Sequence, residues 1–222
     1  MVNEQETKQV VLNLIMIGIF GGTFDPIHHG HLRTALEVAE HFDIQDMRLI
    51  PGKVPPHRPQ PQANPDQRLT MLQAAIASEP RLQVDERELR REGFSYTFTT
   101  LSSLRAEVGQ QAPLLLTLGV DAFLHFQSWH RWEEILQLAH LVVVHRPGYS
   151  LPPVGWYETR LTVNKQDLAS KPSGNIYLLA VTPLDISATQ LRELLKHGRN
   201  PRYLLPDSVI NYIQRLQLYC GT

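Results

Sequence analysis

Short apolar runs alternate with amphipathic stretches along most of the chain. The runs, several of them bounded by Gly or Pro, predict β-strands at 16–20, 47–51, 82–84, 114–119, 140–145 and 176–180. Elsewhere apolar residues recur every three or four positions, as in Leu32, Ala35, Leu36, Ala39 and Phe42. This spacing predicts helices from about residue 30 and at 66–78, 97–108, 121–126, 131–138, 187–197 and 206–216.

Near-continuous apolar strands that alternate with helices are typical of a parallel sheet covered on both faces. We therefore predict an α/β fold, a Rossmann-like doubly wound parallel sheet with helices on both faces. Ligands of such sheets bind at the carboxyl ends of the strands. The candidate loops are those after Phe20, Pro51, Leu118, His145 and Ala180. The stretch 149–174 has weak periodicity and is interpreted as a surface excursion or lid rather than a second domain.

The length of 222 residues fits one domain, which we place at 16–222 after a polar leader at 1–15. Met1 and Met16 are both candidates for the start of translation. A net charge of −1 gives no bulk electrostatic reason to expect binding to nucleic acid or to an anionic membrane. No apolar run approaches the ~20 residues of a membrane span. Cys220 is the only cysteine, which excludes a disulfide framework within the chain and favours a cytoplasmic location.

The loop after the first predicted strand has the composition of an anion site. It contains Gly21 and Gly22, which let backbone approach a ligand, and then His28 and His31 at the mouth of a helix. Histidines three positions apart project to one side, and Gly30 between them leaves room for a bulky anion. A helix start adds free N–H groups and the positive end of a dipole. The alternatives are a plain turn with surface histidines and a metal-binding pair. The combination of glycines, histidines and helix start favours polyphosphate.

A second candidate lies near the C-terminus. Ser187 and Gln190 have the spacing of a capping box, and taken alone that structural interpretation is favoured. Arg192 follows Thr189 by three positions, so its guanidinium could bind phosphate oxygens from the same face. A helix start facing the first one would hold a triphosphate from both sides. The two common rival motifs, G-x-x-x-x-G-K-[ST] and G-x-G-x-x-G after the first strand, are absent.

These segments resemble the paired motifs of the HxGH nucleotidyltransferases. GGTFDPIHHGHL (21–32) and ISATQLR (186–192) carry that broad resemblance. The ordered set PPHRP (55–59), SYT (95–97), LGVD (118–121), WHRW (129–132) and YLLPD (203–207) is similar to bacterial nicotinate-nucleotide adenylyltransferases in particular. The resemblance runs from about residue 17 to 219. One departure is Thr99, where many relatives have Asp, and no role is assigned to it.

The resemblance implies roles at the matching positions on the ATP side. His28 and His31 would contact the phosphates and the transition state, and Arg192 would grip the triphosphate with Ser187 and Thr189. The nucleotide cleft and the ribose of ATP would be bounded by Gly21, Gly22, Thr23, Gly119 and Asp121. From the residues alone, Asp121 is equally well interpreted as an N-cap.

On the acceptor side, the resemblance implies that His57 and Arg58 meet the phosphate of the mononucleotide. Thr97, Trp129 and the backbone at His130 would receive the pyridine ring and its carboxylate. The residues alone leave other interpretations open. The prolines before His57 fit a solvated loop, and Trp129 and Trp132 fit core positions as well as ligand contacts.

The reaction implied is adenylyl transfer from ATP to nicotinate mononucleotide, giving nicotinate adenine dinucleotide and pyrophosphate in NAD biosynthesis. No metal cage is visible in the sequence, so Mg²⁺ would arrive on the ATP phosphates. No nucleic acid or membrane partner is expected, and a homo-oligomer is compatible with the sequence. Two alternatives remain at this point: another HxGH adenylyl- or cytidylyltransferase, and a nucleotide-binding regulator without turnover.

Overall fold

The computed structural model describes residues 15–53, 60–145, 151–152 and 155–221. Within these ranges, seven strands form one parallel sheet in the order β3-β2-β1-β4-β5-β7-β6. Their bounds are Ile17–Gly22 (β1), Asp46–Pro51 (β2), Leu82–Val84 (β3), Leu114–Gly119 (β4), His140–His145 (β5), Leu161–Thr162 (β6) and Ile176–Ala180 (β7). The six strands expected from the sequence are present, and the parallel α/β sheet is confirmed.

Helices connect the strands. They are His29–Phe42 (α1), Pro65–Ile76 (α2), Arg87–Arg90 (α3), Thr97–Val108 (α4), Val120–Leu124 (α5), Trp132–Leu138 (α6), Gln166–Ala169 (α7), Ala188–Lys196 (α8) and Asp207–Leu216 (α9). The prediction of one helix at 121–126 was wrong. The α-helix ends at Leu124, and a separate 3₁₀ turn follows at Phe126–Ser128.

The sheet separates two hydrophobic cores, as a doubly wound fold requires. Successive residues of β5 show the alternation, because Val142 and Val144 belong to one core and Leu141 and Val143 to the other. The first core receives buried residues from α1, α2, α8 and α9, and the second receives them from α4, α5 and α6. Both faces of the sheet are therefore covered by helices.

The strand order places a topological switch between β1 and β4. From β1 the chain moves outward to β2 and β3, and then returns to pair β4 with the other side of β1. Helices that start after these two strands leave on opposite faces, which opens a crevice at their carboxyl ends. Gly21 and Gly22 end β1 and Gly119 ends β4, so the predicted nucleotide residues lie at this edge.

The interpretation of 149–174 as only a surface excursion was wrong for its described part. Leu161 and Thr162 form β6, an edge strand paired with β7. Tyr157 is buried in the second core, and Trp156 packs on Phe126 with ring centroids 5.5 Å apart. The segment therefore completes both the sheet and a core. Among the described residues, none of the helices has the length and apolarity needed to cross a membrane.

Candidate active site

The two histidines of the β1–α1 loop form a compact pair at the start of α1. His28 is the N-cap residue, and its Nδ1 accepts a hydrogen bond of 3.4 Å from the backbone N–H of His31. The two imidazole rings stack with centroids 3.6 Å apart and planes 24° apart. The expectation that both rings project to one side is confirmed.

Burial keeps His28 neutral. His28 is 4% exposed. Desolvation, and secondarily the nearby charge of His29, lowers the pKa of His28 from 6.5 to about 4. Because Nδ1 accepts a hydrogen bond, the proton of the neutral ring is assigned to Nε2. His28 therefore offers a single N–H donor at neutral pH.

Phe24 supports the pair from behind. Its ring is buried and meets the His31 ring edge-on, with centroids 5.1 Å apart and planes at 88°. A Cβ atom on Gly22 would come within 2.7 Å of the Phe24 ring. Gly22 is thus required for packing beneath the histidines, whereas a Cβ on Gly21 would meet nothing within 4 Å. Of the two glycines, only Gly21 leaves its backbone open to the close approach of a ligand.

Gly30 has a different role from the one expected. A Cβ atom there would lie 3.0 Å from Nδ1 of His28 and 3.5 Å from the carbonyl oxygen of Ile186. The space is therefore filled by protein, and the idea that Gly30 makes room for an anion was wrong. The missing side chain instead leaves room for the ring of His28.

The start of α8 presents the second predicted group. Ser187 is its N-cap, and Oγ of Ser187 accepts a hydrogen bond of 3.2 Å from the N–H of Gln190, which is one of the two bonds of the predicted capping box. Arg192 extends from the next turn. Its Nη1 donates to the carbonyl oxygen of Asp25 at 2.7 Å, and its Nη2 donates to Oγ1 of Thr189 at 3.3 Å. The two motifs are therefore joined directly.

The electrostatics at this junction favour an anion. Neither α1 nor α8 has an acidic residue in its first turn, so no acidic side chain of that turn offsets the positive end of either helix dipole. Arg192 adds a guanidinium that is 22% exposed at its side chain. Two helix starts, a neutral histidine donor and an arginine thus meet at one edge of the sheet.

Gly119 and Asp121 lie at the same edge, after β4. Gly119 is the N-cap residue of α5 and makes no side-chain cap, so the interpretation of Asp121 as an N-cap was wrong. Asp121 lies exposed in the first turn of α5. Thr23 begins the loop after β1, and its carbonyl oxygen accepts a hydrogen bond of 2.7 Å from Nη1 of the buried Arg68.

The predicted acceptor residues form a separate group. Thr97 is the first residue of α4, and the ring of Tyr96 before it lies against His130 with centroids 4.5 Å apart. Trp129 and Trp132 are both half-buried, and Trp129 packs on Phe126 at 5.3 Å. The prolines 55–56, His57 and Arg58 lie outside the described residues.

Sequence reasoning missed Asp25, the buried residue at the centre of the β1–α1 loop. Its carboxylate accepts hydrogen bonds from the N–H groups of Gln62 and Ala63 at 2.8 and 3.1 Å and from the hydroxyl of Tyr219 at 2.6 Å. Partners so distant along the chain leave no local signal. Within the described ranges, no three His, Cys, Asp or Glu side chains are placed to hold a metal ion together.

Comparison with known families agrees with this geometry. The family model described as cytidylyltransferase-like matches residues 19–194. A protein of Methylococcus capsulatus called a probable nicotinate-nucleotide adenylyltransferase is 47% identical over 209 residues, covering 92% of this chain and 99% of its own length. A protein of Marinobacter nauticus with the same name is 49% identical over 206 residues, covering 90% and 95%.

Solved structures show the same fold at lower identity. The Plasmodium falciparum nicotinic acid mononucleotide adenylyltransferase complexed with NaAD has a TM-score of 0.68 at 18% identity, covering 92% of this chain and 97% of that one. The same enzyme complexed with APC has a TM-score of 0.66, also at 18% identity, covering 92% and 96%. The order of strands and helices is therefore shared well beyond the range of close sequence similarity.

Proposed function

The chain belongs to the cytidylyltransferase-like family and, within it, to the nicotinate-nucleotide adenylyltransferases, and we propose that it transfers the adenylyl group of ATP to nicotinate mononucleotide. The products are nicotinate adenine dinucleotide and pyrophosphate. The observation that carries the proposal is the junction of α1 and α8. There the His28–His31 pair and Arg192 meet at two helix starts whose first turns carry no acidic residue.

The chemistry needs charge neutralisation more than proton transfer. A phosphate oxygen of the mononucleotide is already ionised at neutral pH, and it attacks the α-phosphorus of ATP. The bond from that phosphorus to the bridging oxygen breaks, and pyrophosphate leaves as a stable anion. Bringing two polyanions together and stabilising the charge that moves onto the leaving group are therefore the main tasks of the protein.

The described residues are suited to these tasks. The neutral ring of His28 donates from Nε2, and the adjacent ring of His31 lies on the same side of the helix start. Arg192 is held by Asp25 and Thr189 in a fixed orientation, so little side-chain entropy is lost when it meets the triphosphate. The backbone at Gly21, where a Cβ would meet nothing within 4 Å, would approach the nucleotide, and the exposed Asp121 in the first turn of α5 would bind the ribose of ATP.

Mg²⁺ would be bound to the ATP phosphates, where it would neutralise charge on the leaving group. The carboxylate of Asp25 already accepts three hydrogen bonds and is poorly available as a ligand. The donors at the junction therefore fit phosphate oxygens rather than a metal ion directly. The cytoplasmic location, a homo-oligomer and the roles of His57 and Arg58 remain predictions.

A substrate panel tests the proposed function. Purified chain, ATP and Mg²⁺ are incubated separately with nicotinate mononucleotide, a pantetheine phosphate and a phosphorylated alcohol, and the same panel is repeated with CTP. We expect pyrophosphate release and dinucleotide formation only with ATP and nicotinate mononucleotide. Turnover with another acceptor or with CTP would assign a different transferase activity, and ATP binding without any product would indicate a regulator.

A further inference from the structure

The carboxylate of Asp25 joins three segments that are far apart in sequence. Asp25 is 4% exposed. One carboxylate oxygen accepts from the N–H of Gln62, and the other accepts from the N–H of Ala63 and from the hydroxyl of Tyr219. The β1–α1 loop, the approach to α2 and the turn after α9 are thus fixed to one buried group.

The same residue holds Arg192 through its main chain. The carbonyl oxygen of Asp25 accepts the 2.7 Å hydrogen bond from Nη1 of Arg192, and Oδ2 lies 3.9 Å from that nitrogen. Arg68 fixes the loop two residues earlier, at the carbonyl oxygen of Thr23. Any rotation of the Asp25 peptide would therefore move the acceptor that orients the Arg192 guanidinium.

The hydrogen bond from Tyr219 to Asp25 has no part in the proposed chemistry. Tyr219 is 9% exposed, and its backbone has φ of 63°, a region that non-glycine residues occupy at a cost. Burial, followed by the hydrogen bond to Asp25, raises the pKa of Tyr219, so its hydroxyl remains a donor. The C-terminal turn is thus held in a costly conformation in which Tyr219 reaches Asp25.

We propose that Tyr219, through the carboxylate of Asp25, is a positioning residue for Arg192 and so sets the affinity of the site for the triphosphate of ATP. The inference rests on the proposed function for its effect on turnover. It adds the C-terminal turn to the determinants of ATP binding. Neither Tyr219 nor Asp25 takes part in bond making or breaking.

The test is a double-mutant cycle between Tyr219→Phe and Arg192→Lys. Tyr219→Phe removes only the hydroxyl, and Arg192→Lys removes the planar group that binds Asp25 and Thr189 together. We expect Tyr219→Phe to raise the KM and the dissociation constant for ATP severalfold while the KM for the mononucleotide is unchanged. In the Arg192→Lys background, the rise in the ATP dissociation constant caused by Tyr219→Phe should be smaller by about threefold or more, because the effects of substitutions at coupled residues are not additive.

Tyr212→Phe is the matched control. Tyr212 lies on α9, and its ring faces the guanidinium of Arg215 at 5.3 Å. The substitution removes the same hydroxyl group at a tyrosine whose ring contact is with Arg215 and not with Asp25. It should leave both KM values unchanged in either background. Asp25→Asn is the second variant, because it places an NH₂ group opposite a backbone N–H and should weaken ATP binding further than Tyr219→Phe does.

Additive effects of Tyr219→Phe and Arg192→Lys on the ATP dissociation constant would overturn the inference. So would a Tyr219→Phe variant in which both KM values rise together, as general loosening of the fold would cause. Calorimetric titration with ATP gives the cycle without turnover. An unmodified chain that makes no dinucleotide would therefore overturn the proposed function, while the cycle on ATP binding would still decide the inference.

Discussion

The rings of His28 and His31 stack at 3.6 Å between centroids, while the N–H of His31 is bonded to Nδ1 of His28. Two cationic rings at this distance would repel each other, and the lowered pKa of His28 keeps one of them neutral. The arrangement fixes a donor at the helix start without adding an immobile positive charge. Each histidine can therefore be tested for a distinct contribution.

His31→Ala should lower the rate of adenylyl transfer much more than it weakens ATP binding. His31 lies at the start of α1 beside the neutral donor of His28. In the proposed reaction it would contact the α-phosphate, around which charge is redistributed. Loss of one preorganised donor commonly costs ~10²–10³ in rate. Steady-state kinetics on the folded variant measures the effect, and an unchanged turnover number would remove His31 from the mechanism. His197→Ala, at the exposed end of α8, is the control.

His28→Asn should make folding less sensitive to acid. The folded-state pKa of His28 is about 4 against 6.5 for the ordinary group. The unfolded chain therefore binds the proton more tightly than the folded chain does. The contribution of neutral His28 to the free energy of unfolding is fully present above about pH 6.5 and is lost as the pH falls towards 4. The loss is at most about 3 kcal/mol. Asn retains the N-cap function, so the free energies of unfolding should be similar at pH 8.

Urea unfolding at pH 8, 6.5 and 5 gives the comparison. Burial also lowers the pKa of His140, which lies in β5 and is hydrogen-bonded to Lys171 and Asn175. Because His140 is present in both the His28→Asn variant and the unmodified chain, its share of the acid sensitivity is the same in the two proteins. Only the difference between the chains is assigned to His28. Parallel stability curves for His28→Asn and the unmodified chain would show that His28 does not contribute to it.

Gly30→Ala should reduce activity without unfolding the protein. The added Cβ would lie 3.0 Å from Nδ1 of His28 and 3.5 Å from the Ile186 carbonyl oxygen, so the His28 ring must shift. Alanine favours the helix by up to about 1 kcal/mol, which offsets part of the contact strain. We expect a thermal midpoint near that of the unmodified chain and a fall in kcat. Full activity would mean that the position of His28 is not critical.

Much of this site could be predicted from the sequence because its parts are local. The glycine pair, the histidine spacing and the Ser187 cap are each contained in a few residues, and each was found where the pattern predicted it. Strands β1, β4 and β5 are apolar over most of their length, which is enough to identify buried parallel strands.

The contacts that organise these parts could not be predicted. Asp25 and Tyr219 are separated by 194 positions and Asp25 and Arg192 by 167, and no periodicity links such pairs. Gly30 was misinterpreted because the pattern does not show where the His28 ring lies, and that ring would come within 3.0 Å of a Cβ at position 30. Two-residue β6 is too short for a strand pattern, and only its pairing with β7 identifies it.

Arg192→Lys should bind ATP at least about tenfold more weakly, because an ammonium neither keeps the orientation that two hydrogen bonds give to the planar guanidinium nor forks onto phosphate oxygens. The bonds at issue go to Asp25 and Thr189. Thermal stability should stay close to that of the unmodified chain. Calorimetric titration with ATP measures the affinity, and Arg33→Lys on the exposed face of α1 is the control. Equal affinity would make Arg192 a structural residue of α8.

The chain should prefer nicotinate over nicotinamide mononucleotide, because the ring carboxylate only accepts hydrogen bonds whereas the amide also carries an NH₂ group. The N-cap of α4 makes no side-chain bond and its first turn has no acidic residue, so backbone donors near Thr97 remain for a carboxylate. His130 lies beside Tyr96 at that helix start. An unpaired polar group there costs ~1–3 kcal/mol, which gives about tenfold discrimination or more. The ratio of kcat/KM for the two mononucleotides decides it, and equal values or an amide preference would show that the acceptor pocket is placed wrongly.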